Sequence, residues 1–453
     1  MNKHTTLTHT APQNETLRVS VTTLGCKANQ YDSSALEDAL RDASFDVVPF
    51  PAKADAYVIN TCTVTERTDY QSRRLVRKAR KLNPDAVVIV TGCYAQVSSS
   101  ELAMVDGIDY VIGNPEKGRI IEFIRGGRRS APLVEVGRYE DGTPLALRSR
   151  SAGGRTRANL KIQEGCDKAC SYCIIPKARG LSRSVTLKEA LRDIDALVDA
   201  SFKEIVLTGI HLGAYGGDLT PQSSVLALFR EIEANRYPCR FRISSLDPDE
   251  VTDDLIAFLS ESKTFCNHLH LPLQSGDDSI LKAMGRPYTR EEFANRVFRL
   301  FESVKDISIG ADIIAGFPGE GEAEFDNSYS LIESLPISYL HIFPYSKRRG
   351  TPASSYKGQV LPDAVRERVG RLLSLDAEKR RSFYEKFVGK TVEVLAELVR
   401  YKKTGLLKGR SANYIPVLFD GPDSLKNTIV KVRLASYDET GMTGATGQGE
   451  QGL

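Results

Sequence analysis

Cys166, Cys170 and Cys173 form a Cys-x3-Cys-x2-Cys triplet just behind the strand-like run Asn159 to Gln163. A chain with this triplet must hold three soft thiols on one short loop at the edge of a sheet. Thiolate sulfur suits zinc and iron–sulfur clusters. A structural zinc site closes its four positions and a plain ferredoxin cluster takes four cysteines, but no fourth cysteine stands near this triplet. Three thiolates on a 4Fe-4S cubane leave one iron open. The amino and carboxylate groups of a methionine moiety chelate such an iron well, which favours a cluster over zinc.

The chain of 453 residues has room for two to four domains, and with 41% hydrophobic and 26% charged residues it has the composition of an ordinary globular protein. No apolar run is long enough to span a membrane, and Met1 to Thr16 lacks the hydrophobic segment of a secretory signal. The expectation is a cytoplasmic protein without a membrane partner. Its eight cysteines then stay reduced and read as metal ligands, catalytic thiols or small core residues before disulfides. A net charge of only +3 hides basic runs at Arg67 to Lys81 and Arg125 to Arg157. A third basic region with interleaved tyrosines holds Arg400, Tyr401, Lys402, Lys403, Lys408, Arg410, Tyr414 and Lys431. Such runs neutralise phosphates, although a single one is as often a solvated surface.

Periodicity divides the chain into three α/β and β segments. Residues 17–126 alternate β-branched runs (Val19 to Leu24, Ala56 to Asn60, Ala86 to Thr91) with amphipathic stretches, as in an open parallel sheet. Asp32 or Ser33 is expected to cap a helix through Arg41. Cys26, Cys62 and Cys93 each follow one of those strands, and in an open parallel sheet all carboxyl ends share one edge. Any one of these cysteines alone reads as a small core residue. Three at equivalent strand ends predict a second cluster site. Residues 127–155 read as a basic linker. Residues 156–387 carry six strand-like runs separated by helices, then a helical tail, which predicts a partial (β/α)6 barrel. Residues 388–439 read as a small antiparallel β-barrel. Residues 1–16 and 440–453 are expected to be disordered tails without core-forming residues.

With both triplets placed, the chain resembles the methylthiotransferases of the radical S-adenosylmethionine (SAM) superfamily along nearly its full length. The matches are Leu24-Gly25-Cys26-Lys27-Ala28-Asn29-Gln30-Tyr31-Asp32-Ser33, Asn60-Thr61-Cys62-Thr63-Val64 and Thr91-Gly92-Cys93 in the first segment. In the second they are Cys173-Ile174-Ile175-Pro176, Arg179-Gly180, Thr208-Gly209-Ile210-His211, Leu271-Pro272-Leu273-Gln274-Ser275-Gly276 and Gly316-Phe317-Pro318-Gly319-Glu320. The last segment is similar to the family's TRAM barrel, which binds RNA. Lys177 and Val185 depart from the family's usual residues, at positions that bear on substrate contacts rather than on the cysteines. Gly25-Cys26-Lys27 and Thr208-Gly209-Ile210-His211-Leu212 are most similar to the branch acting on threonylcarbamoyl-adenosine in tRNA.

The resemblance implies two 4Fe-4S clusters, on Cys26, Cys62 and Cys93 and on Cys166, Cys170 and Cys173, with SAM on the second. SAM cleavage there would supply a radical for carbon 2 of adenine, which offers no leaving group or acidic proton for a polar route. The first cluster would present the sulfur, and a second SAM would donate the methyl group. Tyr172, Gly209, Ser244 and Gln274 are the candidate SAM contacts. Partners implied are the tRNA anticodon loop, an electron donor such as flavodoxin or ferredoxin, and a sulfur source. Rival readings are methylthiolation of isopentenyl-adenosine or of a ribosomal-protein aspartate, and a non-catalytic iron–sulfur electron carrier or tRNA-binding scaffold. His211, His268, His270 and His341 are assigned no role, because lone histidines are more often structural. Cys239 and Cys266 read as core residues.

Overall fold

The computed structural model describes residues 16–139, 147–151 and 153–447. Of the expected tails 1–16 and 440–453, residues 1–15 and 448–453 lie outside the described residues.

The first domain is a six-stranded, wholly parallel sheet in the order β2-β1-β3-β4-β5-β6. Its strands are β1 (Arg18–Thr23), β2 (Asp46–Val48), β3 (Ala56–Thr61), β4 (Val87–Gly92), β5 (Tyr110–Ile112) and β6 (Leu133–Glu135). Every residue of β3 and β4 is buried, as in a sheet covered on both faces. Helix α1 (Lys27–Asp42) follows β1 and helix α2 (Glu66–Leu82) follows β3. The strand order reverses between β1 and β3, so the ligand crevice of such a sheet lies at their carboxyl ends, where Cys26 and Cys62 stand.

Two expectations change here. Helix α1 starts at Lys27, not at Asp32 or Ser33, because Cys26 already takes the extended N-cap conformation. Asp32 therefore lies inside the helix and is buried. The stretch read as a linker contains β6, whose three residues are too few to show a period in the sequence.

The central domain carries six parallel strands as two three-stranded sheets, β11-β10-β7 and β12-β13-β14. They are β7 (Ala158–Lys161), β10 (Glu204–Thr208), β11 (Arg240–Ile243), β12 (His268–Gln274), β13 (Ser308–Ala315) and β14 (Tyr339–Pro344). A bridge between Phe241 and Phe265 joins the halves into an open barrel. A short antiparallel pair, β8 (Gln163–Glu164) and β9 (Arg183–Ser184), flanks the triplet. Alternation along the strands sends Leu160, Ile205, Phe241, Leu269 and Ile309 outward into the main core beneath the helices. The helices 187–199 and 290–303 start where their sequences signal it, each with a threonine–glutamate capping box.

The helix Pro362–Glu385 leads to a closed barrel in the order β15-β16-β17-β19-β18. Its strands are β15 (Thr391–Ala396), β16 (Leu407–Ser411), β17 (Pro416–Phe419), β18 (Ile429–Asp438) and β19 (Gly441–Thr446). β19 corrects the reading of 440–453 as a tail: Met442 is fully buried in the barrel core, and the strand closes the gap between β17 and β18. Among the described residues no helix is long and apolar enough to cross a membrane.

Candidate active site

The six cysteines of the two triplets are free thiols. Cys26 follows β1, Cys62 follows β3, and Cys93 opens a short helix directly after β4. Gly25 and Gly165 let the two thiol loops pack tightly. At Gly25, with φ +94°, a Cβ would lie 2.5 Å from Cys62 Cβ and 2.6 Å from its Sγ. At Gly165, with φ +77°, a Cβ would collide with the Leu181 carbonyl, so Cys166 could not approach the turn after Gly180. Burial pushes the Cys62 thiol up to about 12, and Cys93 and Cys26 add to the shift. Burial likewise raises Cys173 to about 12, reinforced by Cys170 and Cys166. Within each triplet the thiols thus lie near enough to raise one another's pKa.

The two triplets adjoin. The helix beginning at Cys93 packs against the helix Ile175–Arg179, which begins two residues after Cys173. Arg179 closes this joint from the central domain. Its Nε donates to Cys93 Sγ at 3.2 Å, Nη1 to Glu164 Oε1 at 2.5 Å, and Nη2 to Asn29 Oδ1 and to Asp32 Oδ2. Lys117 Nζ lies 2.8 Å and Lys161 Nζ 2.5 Å from Asp32, and Lys161 also pairs with Glu164. Despite full burial, these cations hold the Asp32 carboxyl far below the usual carboxylate range. Asn29 donates to the carbonyls of Leu24 and Thr61, both at 2.8 Å, which joins the loops carrying Cys26 and Cys62. From the other side, Arg348 donates to Thr63, next to Cys62, and pairs with Asp69 at 2.5 Å.

The second triplet has a matching arginine. Arg286 Nη1 donates to Cys170 Sγ at 3.4 Å while Nη2 bonds Asp247 at 2.6 Å. His211 lies between Cys166 and Glu250; burial lowers its pKa, but these two contacts outweigh burial and raise it to about 10. Gly209, Ser244 and Gln274 stand at the carboxyl ends of β10, β11 and β12, on the rim where the triplet sits. Gln274 there has a left-handed φ of +67°. Tyr172 is half-buried and meets Phe317 edge-on, with ring centroids 6.5 Å apart. Cys239 and Cys266 are buried away from both triplets.

Arg179, Arg286, Asp32, Lys117, Lys161 and Glu164 had no site role from the sequence. Arg179-Gly180 and the motif Leu24 to Ser33, which contains Asp32, carried the only signal. The basic surface also divides. Arg80 is spent inside the first domain on Asp109 and on the carbonyls of Gly107 and Ala86, whereas Arg74, Arg77 and Lys81 remain exposed. Arg410 and Tyr414 turn toward the central domain, while Lys402, Lys403 and Lys431 face solvent.

Residues 18–113 match the model for the Uncharacterized protein family UPF0004, and residues 160–332 match the Radical SAM superfamily. The chain is 39% identical over 426 residues to a threonylcarbamoyladenosine tRNA methylthiotransferase, MtaB, of Bacillus subtilis, covering 92% of this chain and 93% of that one. It is 34% identical to a tRNA-2-methylthio-N(6)-dimethylallyladenosine synthase of Fusobacterium nucleatum, covering 92% of this chain and 97% of that one. A radical SAM methyltransferase, TsrM of Kitasatospora setae, solved with cobalamin and a [4Fe-4S] cluster, shares the fold at TM-score 0.56 and 16% identity, over 75% of this chain and 77% of that one. The matched domains and the thiol triplets define a radical SAM enzyme. Within that superfamily the chain belongs to the methylthiotransferases. SAM and 4Fe-4S clusters are the cofactors of this class, and the donors fit them: each triplet offers three thiols and no fourth, with a guanidinium donating to one sulfur.

Proposed function

We propose that this protein adds a methylthio group to carbon 2 of N6-threonylcarbamoyl-adenosine next to the anticodon of tRNA. The observation that carries the reading is the pair of adjoining three-thiol sites, with Arg179 at their joint, in a chain matched over 84–94% of its length by relatives named for this reaction. When bound, the clusters and SAM supply the radical and the sulfur. The protein's own residues do the positioning. The two glycine-tightened loops set the thiols, Arg179 and Arg286 direct N–H donors at one sulfur of each set, and the strand-end residues Gly209, Ser244 and Gln274 with Tyr172 line the SAM side. Exposed Arg74, Arg77, Lys81, Lys402, Lys403 and Lys431 supply charge for the RNA backbone. The enzyme would work in the cytoplasm, with a flavodoxin- or ferredoxin-like electron donor and a separate sulfur source.

The test is anaerobic reconstitution with iron and sulfide, then SAM, reductant and tRNA bearing threonylcarbamoyl-adenosine or isopentenyl-adenosine, followed by mass spectrometry of the digested nucleosides. The expected result is a methylthio product on the first tRNA only. Cys166→Ala abolishes SAM cleavage, and Cys26→Ala abolishes the product while cleavage persists. Product on the isopentenyl substrate alone would overturn the substrate, and no SAM cleavage by loaded protein would overturn the activity.

A further inference from the structure

We propose that Lys27, at the floor of the central barrel, binds the carboxylate carried on N6 of the target adenosine and so selects an acidic over an apolar substituent. The inference rests on the threonylcarbamoyl reading above.

Helix α1 lies along the open edge of the barrel beside β7, where Asn159 Nδ2 donates to Gln30 Oε1 at 3.1 Å. That placement puts Lys27 in a cavity of about 410 Å³ bounded by α1, β7, β10 and the C-terminal barrel. Gln30, Arg157, Lys408, Glu397 and Tyr414 share its wall. Arg157 and Lys408 bring positive charge to this wall, and more gathers around its Tyr414. The guanidiniums of Arg410, Arg242 and Arg157 lie 4.3, 4.9 and 5.9 Å from the Tyr414 ring centroid. The two nearby carboxylates are already engaged: Glu204 takes Arg240 and Arg242, and Glu397 takes Arg157 and Lys408. The Lys27 ammonium makes no hydrogen bond or ion pair with any other described residue.

A half-buried ammonium among guanidiniums, without a carboxylate of its own, is costly until an anion arrives. The threonyl carboxylate is an anion of suitable size, and carbon 6, which carries it through N6, lies across N1 from carbon 2. Cys26, directly before Lys27, belongs to the thiol set that would face carbon 2. One helix turn thus presents a sulfur-bearing site and a carboxylate-binding cation to different parts of the same base.

The test uses the full-length reconstituted protein and anticodon stem–loop RNAs carrying threonylcarbamoyl-adenosine, its neutral carboxamide, or unmodified adenosine, with affinity read by fluorescence anisotropy at fixed salt. Wild type is expected to favour the acid over the amide by about 10- to 100-fold, the range of a charge-assisted hydrogen bond. Lys27→Gln and Lys27→Met should bring the acid down to the amide's affinity, whereas Lys27→Arg retains the preference and controls for folding. The proposal falls if Lys27→Gln keeps the wild-type acid-to-amide ratio, or if wild type does not distinguish acid from amide. It falls equally if Lys27→Gln weakens all three RNAs alike, since the cation would then meet a backbone phosphate. Methylthio product formed by wild type is scored separately. Product without acid preference removes Lys27's role and leaves the reaction, whereas acid preference without product does the reverse.

Discussion

Arg179 does two jobs at once. It neutralises Asp32 and Glu164 in a fully buried setting, and it sends its Nε to the Cys93 thiol on the other domain. With Lys117 and Lys161, three basic side chains face two carboxylates, and the Arg179 guanidinium acts on the thiols of Cys93, Cys62 and Cys26. Removing one partner from such a network strands a buried charge, at a cost of about 3–5 kcal/mol. Arg179→Met is therefore expected to lower the unfolding free energy from urea titration by that order, with a lower midpoint, and adding Glu164→Gln should recover part of the loss. A midpoint unmoved by Arg179→Met would show that the network does not hold the joint. This network was illegible in the sequence for a plain reason. The cysteines repeat a local signal, a strand followed by a thiol, but Asp32 meets Lys117 across 85 positions and Arg179 meets Asn29 across 150. Nothing near Asp32 marks it as buried, and a helix cap was the natural local reading.

Whole elements with a clear period were readable, and short or atypical ones were not. The helices 187–199 and 290–303 begin at threonine caps, and these two and 322–334 span the stretches that apolar spacing marks as helical. Strand β6 is three residues within a glycine- and arginine-rich stretch, and β19 is Gly-Met-Thr-Gly-Ala-Thr, with one large apolar side chain. Its contribution is topological. β19 runs parallel to β17 and antiparallel to β18, so it converts an open sheet into a closed barrel without free edges. Burying Met442 contributes about 1.5–3 kcal/mol, before any ladder bond is counted. A chain ending at Thr440 should lose its C-terminal barrel to limited trypsin digestion, with cuts near Lys402, Lys408 or Lys431, while the first two domains survive. Digestion indistinguishable from the full chain would mean that the barrel stands without β19.

At the scale of the whole molecule, the three domains are clasped by arginines reaching across their borders, and the barrel's clasp depends on one acid. Arg240 and Arg242 extend from β11 to donate to the carbonyls of Arg410, Ser411 and Ala412 on the C-terminal barrel, and both are held in place by Glu204. Glu204 is fully buried, which alone would raise its pKa, but Arg242 and Arg240 outweigh burial and bring it down from 4.5 to about 2. A group whose pKa is lower in the folded state stabilises fully above its unfolded value and loses that stabilisation as pH falls toward the folded one. Glu204 therefore contributes about 3 kcal/mol at neutral pH, by the conversion of roughly 1.4 kcal/mol per pH unit, and releases it between about pH 4.5 and 2. Asp32 and Asp312 titrate in the same acid direction, so the informative quantity is the difference between wild type and Glu204→Gln. Urea unfolding at pH 7, 5, 4 and 3 should show the variant less stable than wild type at pH 7, with the gap narrowing below pH 4.5 as the wild-type carboxylate takes its proton. Parallel profiles down to pH 3 would separate Glu204 from the clasp and leave the arginine-to-carbonyl bonds to hold the barrel unaided. In that case the floor of the central barrel, and the cavity around Lys27 with it, would keep its shape in acid.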